Sequence, residues 1–104
     1  MQRVARYAAA IIVMAAVPTH AEENEFGILH KAKGAEETFY ACTACHSEKI
    51  VAQQGLTRSG WDELLQWMVE EHDMAKIEPK ERKIILDYLS KHYGVNRPHF
   101  PKKR

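Results

Sequence analysis

Residues Cys42-Thr43-Ala44-Cys45-His46 form a C-x-x-C-H motif, and this motif constrains the fold more than any other part of the chain. Two thiols one helical turn apart can each form a thioether to one vinyl group of a haem, and the histidine that follows then falls beneath the iron. The motif therefore predicts one covalently attached haem c, bound through Cys42 and Cys45, with His46 as the proximal iron ligand.

Three other sites use closely spaced cysteines, and each fits this chain less well. A thioredoxin-like dithiol belongs in a βαβ context, and a structural zinc site needs two further ligands at metal spacing. The chain has only two cysteines, both in the motif, so no second cysteine pair can complete a zinc site. A disulfide within one helical turn would close so small a loop that it would stabilise little. We therefore favour haem attachment.

Residues 1–21 have the composition of a secretory signal peptide. Two arginines precede the apolar run 7–17, and residues 18–21 end in small residues suited to cleavage. Cleavage there would leave Glu22 as the first residue of the mature protein. An uncleaved anchor fits less well, because a spanning helix needs about 20 apolar residues. We expect a periplasmic protein with no membrane span after cleavage. Export agrees with the motif, because haem is attached to such motifs outside the bacterial plasma membrane.

The charge balance argues against a nucleic-acid partner. The whole chain carries a formal net charge of +1, and the signal segment holds two of its arginines, so the remainder is close to neutral. A nucleic-acid-binding domain would show a clearly basic face. The length fits a single domain, close to the size of about 70–80 residues at which small folds need a staple. A covalently bound haem would supply this additional stabilisation, so we expect the chain without haem to fold poorly.

The sequence divides into four segments: the signal peptide over 1–21, an N-terminal arm over 22–34, a cytochrome c domain over 35–94 and a C-terminal tail over 95–104. The arm is polar with scattered apolar residues, so we expect it to be extended or loosely packed. The proline-rich tail should have no regular structure, and it either stays in solvent or packs on a partner. The helical periodicity of the domain predicts an all-α fold. Together with the C-x-x-C-H motif, it leads us to expect a small single-haem cytochrome c fold.

The segment Ala35–Cys42 has helical composition with acidic residues in its first turn, and it should deliver the motif. Phe39 and Tyr40 are expected to be core residues that pack on the haem or on another helix. Residues 47–56 read as a connector. Three polar side chains there and just beyond are either haem-propionate donors or ordinary solvated groups: Gln53, Gln54 and Arg58.

Two amphipathic helices follow the connector. The first helix has Ser59 as its N-cap candidate and should end near residues 72–73. Its apolar stripe consists of Trp61, Leu64, Leu65 and Met68. The second has Pro79 in its first turn and Gly94 as its C-cap candidate. Its apolar stripe consists of Ile84, Ile85, Tyr88 and Leu89.

A haem that carries electrons is usually six-coordinate, and a methionine opposite histidine raises its reduction potential. Met68 lies on the inward face of one helix, and Met74 lies in the link before the next. The histidine candidates after the motif are His72, His92 and His99. Periodicity alone leaves the two methionines about equal.

Most of the expected mature chain carries a family resemblance. The stretches concerned are Tyr40-Ala41-Cys42-Thr43-Ala44-Cys45-His46, Gln53-Gln54-Gly55-Leu56-Thr57-Arg58 leading to Trp61, Ile85-Leu86-Asp87-Tyr88-Leu89, and Arg97-Pro98-His99-Phe100. They resemble the small monohaem cytochrome c subunit of periplasmic sulfite dehydrogenases. The arrangement from Trp61 to Met68 also resembles haem domains of quinohaemoprotein amine dehydrogenases, in which the residue seven after the tryptophan is the axial ligand. This second resemblance implies Met68 as distal ligand, with Met74 as the alternative and a histidine third.

The resemblance to the sulfite dehydrogenase subunit implies a function. A molybdenum-cofactor subunit would oxidise sulfite, and this chain, paired with it, would pass the electrons to a downstream periplasmic carrier without a catalytic site of its own. Two other interpretations stay open. The chain could be a free soluble carrier or serve another periplasmic dehydrogenase, or it could be a haem-based ligand sensor with an exchangeable sixth site.

Overall fold

The computed structural model describes residues 5–16 and 24–101. Those residues form four α-helices and no strand: α1 (Ala35–Cys42), α2 (Glu48–Ala52), α3 (Arg58–Glu71) and α4 (Pro79–His92). The all-α prediction is confirmed. The expected cleavage site, Glu22 and the last three residues of the tail lie outside the described residues.

The described part of the signal segment, residues 5–16, has no helix or strand and is exposed throughout. Its large apolar side chains, which include Tyr7 and Ile11, are in contact with solvent. No helix in the described ranges combines the length and the apolar character that a membrane crossing requires.

Helix α4 is the centre of the fold, because it packs against both α1 and α3, while α2 packs only against α1. Its predicted stripe is confirmed: Ile85, Tyr88 and Leu89 are buried and Ile84 is half-buried. Pro79 occupies the first turn as predicted. The C-cap is Tyr93, whose N–H donates to the Leu89 carbonyl, and the prediction of Gly94 as C-cap is therefore wrong.

The N-cap of helix α3 lies two residues earlier than predicted. Thr57 is its N-cap, since its backbone is extended and its hydroxyl accepts a hydrogen bond from the Gly60 N–H at 3.1 Å. The Ser59 prediction is wrong because Ser59 is already helical. The stripe on this helix faces inward: Trp61 and Leu65 are buried, and the two remaining members are half-buried.

The connector is more ordered than the sequence suggested, because it contains α2. Ser47 caps this helix through its hydroxyl, which accepts a hydrogen bond from the Lys49 N–H at 3.3 Å. Val51 and Ala52 are buried against the rest of the fold. A five-residue helix is too short to show a periodic pattern, so only its cap could have predicted it.

The N-terminal arm is packed, which contradicts the expectation of a loose arm for residues 24–33. Leu29 is fully buried in the core. The main chain of His30 is held by two tyrosines: its N–H donates to the Tyr93 hydroxyl at 2.9 Å, and its carbonyl accepts from the Tyr88 hydroxyl at 2.7 Å. Both tyrosines come from the far end of the sequence, so the sequence around the arm gives no sign of these contacts.

The tail has no regular structure over residues 95–101, as predicted, yet it packs on its own chain. Arg97 adopts a left-handed φ of 47° and its guanidinium lies over the Phe100 ring, 4.9 Å from the centroid. Gly55 permits this arrangement, because a Cβ atom there would lie 2.8 Å from the Arg97 side chain. The cation–π contact accounts for the placement of a phenylalanine between two prolines.

Gly34 ties the start of α1 to α4. It is the N-cap of α1 with a φ of 93°, and a Cβ atom added there would lie 2.7 Å from Tyr88 Cβ and 3.0 Å from the Ile84 carbonyl oxygen. A left-handed residue with a Cβ costs about 1–2 kcal/mol before any such contact. We therefore expect Gly34→Ala to lose about 2 kcal/mol or more, a fall of about 8 °C or more in the thermal midpoint followed by circular dichroism.

Gly60→Ala is the matched control for this substitution. Gly60 lies inside α3, where alanine is favoured over glycine by about 1 kcal/mol. The nearest atom to an added Cβ there is the Thr57 hydroxyl oxygen at 3.2 Å, which belongs to a side chain rather than to backbone. An equal loss in the two variants would contradict the proposed strain at Gly34.

Candidate functional site

A cavity of about 660 Å³ lies between the end of α1, α2, α3 and the link that precedes α4. Its walls include the three residues of the motif expected to hold the haem and both methionine candidates for the distal ligand: Cys42, Cys45, His46, Met68 and Met74. The motif and the two methionines are separated by more than twenty residues in the chain. The fold therefore brings together the two halves of the predicted site.

The motif is held between two capped helix ends. Helix α1 ends at Cys42 because Thr43 closes it: the Thr43 N–H and hydroxyl both donate to the Phe39 carbonyl, at 2.9 and 2.7 Å. Cys45 lies in the turn that follows, and His46 precedes the Ser47 cap of α2. Cys45 and His46 are exposed, Cys42 is half-buried, and the two cysteines are not joined by a disulfide. The prediction that α1 delivers the motif is confirmed.

Burial raises the pKa of the Cys42 thiol to about 11. At neutral pH this side chain is therefore an uncharged thiol. The cysteines of redox-active dithiols and of metal sites work as thiolates and have lowered pKa values. The environment of Cys42 is thus the opposite of that expected for a thioredoxin-like dithiol.

The two methionines are coupled by the backbone at the end of α3. The Met68 carbonyl accepts hydrogen bonds from the N–H groups of His72 and Met74, both at 3.1 Å. Asp73 lies between these donors with a left-handed φ of 57°, which turns the chain back over the helix end. As a result, both methionine side chains border the cavity.

Packing distinguishes the two methionines in one respect. Met74 is packed against the hydrophobic core, whereas Met68 is not part of that packed set. A thioether already engaged in core contacts has less freedom to reach an iron atom, so the packing favours Met68. Met74 nevertheless remains beside the same cavity.

The walls of the cavity expose an unusual amount of apolar surface. Tyr40 is 66% exposed, Ile50 48% and Trp67 51%, and all three border the cavity. A contiguous apolar surface of this kind marks a ligand or partner site. The cavity volume of about 660 Å³ lies within the range of about 300–1,000 Å³ that cofactor sites occupy. A group with the flat apolar ring of a haem is compatible with both the volume and the lining of this cavity.

Trp61 fixes the back wall of the cavity. Its indole N–H donates to the Tyr93 carbonyl at 2.9 Å, and the residue is buried while its side chain still borders the cavity. The same carbonyl also accepts from the Leu56 N–H at 3.3 Å. The start of α3 is thus attached to the end of α4, which positions the face of α3 that carries Met68.

Several residues singled out from the sequence lie elsewhere. Tyr40 lies outside the hydrophobic core but borders the cavity, where its expected packing on a haem stays a prediction. Phe39 is half-buried against the core, as predicted. Among the three propionate candidates, only Gln54 borders the cavity. Arg58 is instead paired with Asp87, and together with Lys83 it holds the pKa of that carboxyl below its usual range.

The histidines proposed as alternative distal ligands do not border the cavity. His72 packs edge-on against Trp67, with ring centroids 4.2 Å apart. His92 and His99 lie together at the C-terminal end of α4, next to His30. This placement disfavours a histidine as the sixth ligand.

Trp67 and Ile50 were missed as cavity residues. Trp67 falls outside the apolar stripe of α3, and Ile50 lies in a helix too short to be recognised. A large aromatic residue on an otherwise polar helix face is the signal that could have identified Trp67 as a cavity residue.

Comparisons of the chain with protein-family models, with curated proteins and with solved structures found no match.

Proposed function

We propose that this chain is an electron-transfer c-type cytochrome with the small single-haem cytochrome c fold. Cys42 and Cys45 would hold the haem covalently, His46 would be its proximal ligand and Met68 its distal ligand, with Met74 as the alternative. One observation carries the proposal: the C-x-x-C-H motif and the methionines border a single cavity whose apolar walls are open to solvent.

A bound haem supplies reversible one-electron chemistry at its iron. The chain's own residues would bind it, orient it and set its surroundings. The capped ends of α1 and α2 would hold Cys42, Cys45 and His46 toward the haem, and the buried Trp61 and Leu65 would pack on its interior side. A methionine thioether opposite histidine stabilises the ferrous state and so raises the reduction potential.

The electron donor that we propose is a molybdenum-cofactor sulfite dehydrogenase subunit, and the acceptor is a downstream periplasmic carrier. Support for this pairing comes from the family resemblance of the motif, Trp61 and tail segments. Periplasmic location is supported by the composition of residues 1–21. Tyr40 and Trp67, exposed beside the motif, offer apolar surface for docking close to the haem.

Reduction by sulfite tests the pairing. The ferric cytochrome should be reduced by sulfite only when a molybdenum-cofactor sulfite dehydrogenase subunit is present. A neighbouring gene for a quinoprotein or flavoprotein dehydrogenase, together with reduction by that enzyme's substrate, would instead assign the chain to a different dehydrogenase. Reduction by neither system would leave the free-carrier interpretation.

The sensor interpretation differs in the behaviour of the sixth site. We expect the ferrous wild type to bind carbon monoxide slowly in stopped-flow measurements, because the thioether must first leave the iron. Met68→Ala opens that position and should bind carbon monoxide rapidly. Rapid binding by the wild type itself would favour a sensor over an electron carrier.

A further inference from the structure

Three histidines from separate parts of the chain meet outside the haem cavity. His30 comes from the arm, His92 from the last turn of α4 and His99 from the tail. One nitrogen from each ring lies within 4.8 Å of the others. None of the three borders the cavity, so this cluster is separate from the site described above.

The backbone holds all three positions. Both main-chain groups of His30 are hydrogen-bonded to hydroxyls, the N–H to Tyr93 and the carbonyl to Tyr88. His92 ends α4 just before the buried Tyr93. His99 follows a turn in which the Arg97 N–H donates to the Gly94 carbonyl at 3.0 Å. The cluster therefore has a fixed frame, and only ring rotation is needed to change its geometry.

We propose that His30, His92 and His99 form a binding site for a divalent transition-metal ion of the zinc type. Imidazole is a preferred ligand for such ions, and three histidines with water in the fourth position form a known zinc coordination set.

The distance between His92 and His99 already matches this coordination, and His30 needs only a turn of its ring. Zinc–nitrogen bonds of about 2.0–2.1 Å in a tetrahedron place the ligand nitrogens about 3.3 Å apart. His92 Nδ1 and His99 Nε2 are 3.3 Å apart in the structure. His30 currently stacks on His99, with centroids 3.8 Å apart and planes 11° from parallel. Because His30 is exposed, its ring can leave the stack and turn its nitrogen toward the other two without displacing core residues.

The same contacts have a simpler explanation, in which His92 and His99 share a hydrogen bond and His30 stacks on them. That arrangement needs no metal, and it makes a different experimental prediction. It gives no reason for stoichiometric zinc affinity, and it does not make affinity depend on all three rings.

Zinc binding to the purified full chain, without a polyhistidine tag, distinguishes the two explanations. We expect one Zn²⁺ per chain with a dissociation constant tighter than about 10 µM, measured in competition with a chromophoric chelator. His30→Ala, His92→Ala and His99→Ala should each weaken binding by about a hundredfold or more, since losing even an outer-shell partner costs about 10- to 100-fold. His72→Ala, at an exposed histidine remote in sequence, should bind as the wild type does.

X-ray absorption at the zinc edge gives a second readout that needs no variant. The wild type should show three imidazole ligands at about 2.0 Å. Weaker binding than stated, fewer than three imidazoles, or wild-type affinity in any one of the three cluster variants would overturn the proposal. These measurements are made on the haem-loaded chain and report zinc rather than electron transfer, so their failure is distinguishable from the failure of the proposed function.

Discussion

A chain carrying Cys42→Ser and Cys45→Ser should contain no haem after denaturation and should be markedly less stable than the wild type. Serine has the shape of cysteine but cannot form the thioether. Both residues border the cavity, and Cys42 is half-buried there, so the substitutions remove the anchor with little change in packing. We expect the largest loss of function from this variant.

The expected loss of stability follows from the size of the domain. Removing a covalent staple from a small domain costs about 2–5 kcal/mol when the staple is a disulfide, and a haem also fills core volume. The thermal midpoint should therefore fall by at least about 8 °C. Ala44→Ser places the same hydroxyl at the exposed position between the cysteines and should keep both haem and stability. Retention of denaturation-resistant haem in the double serine variant would contradict covalent attachment.

Met68→Ala should abolish the ferric charge-transfer band that a methionine–iron bond produces near the red end of the spectrum, and the reduction potential should fall with it. Met74→Ala should keep the band. Because Met74 packs against the core, its truncation should instead lower the free energy of unfolding, by about 1–3 kcal/mol for a half-buried side chain.

The reverse result would transfer the ligand role to Met74. Both methionines border the cavity and share the hydrogen bond at the end of α3, so the substitution has to be made at each of them. Survival of the band in both single variants would exclude methionine ligation. Thermal unfolding of the two variants separates a lost ligand from a lost packing contact.

The sequence predicts those elements that depend on local patterns. The motif helix α1, the start of α4 at Pro79 and the inward face of α3 each rest on neighbouring residues, and each is present in the structure. The N-cap of α3 was assigned to the wrong one of two nearby hydroxyls. Thr57 and Ser59 both suit a cap, and only the backbone conformation distinguishes them.

Long-range contacts escaped prediction for a different reason. Leu29 is an isolated apolar residue in a polar segment, and its burial depends on α4, more than fifty residues away. The three-histidine cluster likewise joins residues 30, 92 and 99, whose spacing follows no metal-binding pattern. The candidate site at residues 42–46 was easier to anticipate, because C-x-x-C-H is a local motif with a fixed spacing.

Intact-mass spectrometry of the exported wild-type chain under denaturing conditions tests the central claim most directly. The chain should carry the mass of one haem that survives unfolding, and neither Cys42 nor Cys45 should react with a thiol-alkylating reagent. A chain without the haem mass, in which both cysteines are alkylated after unfolding, would contradict the account.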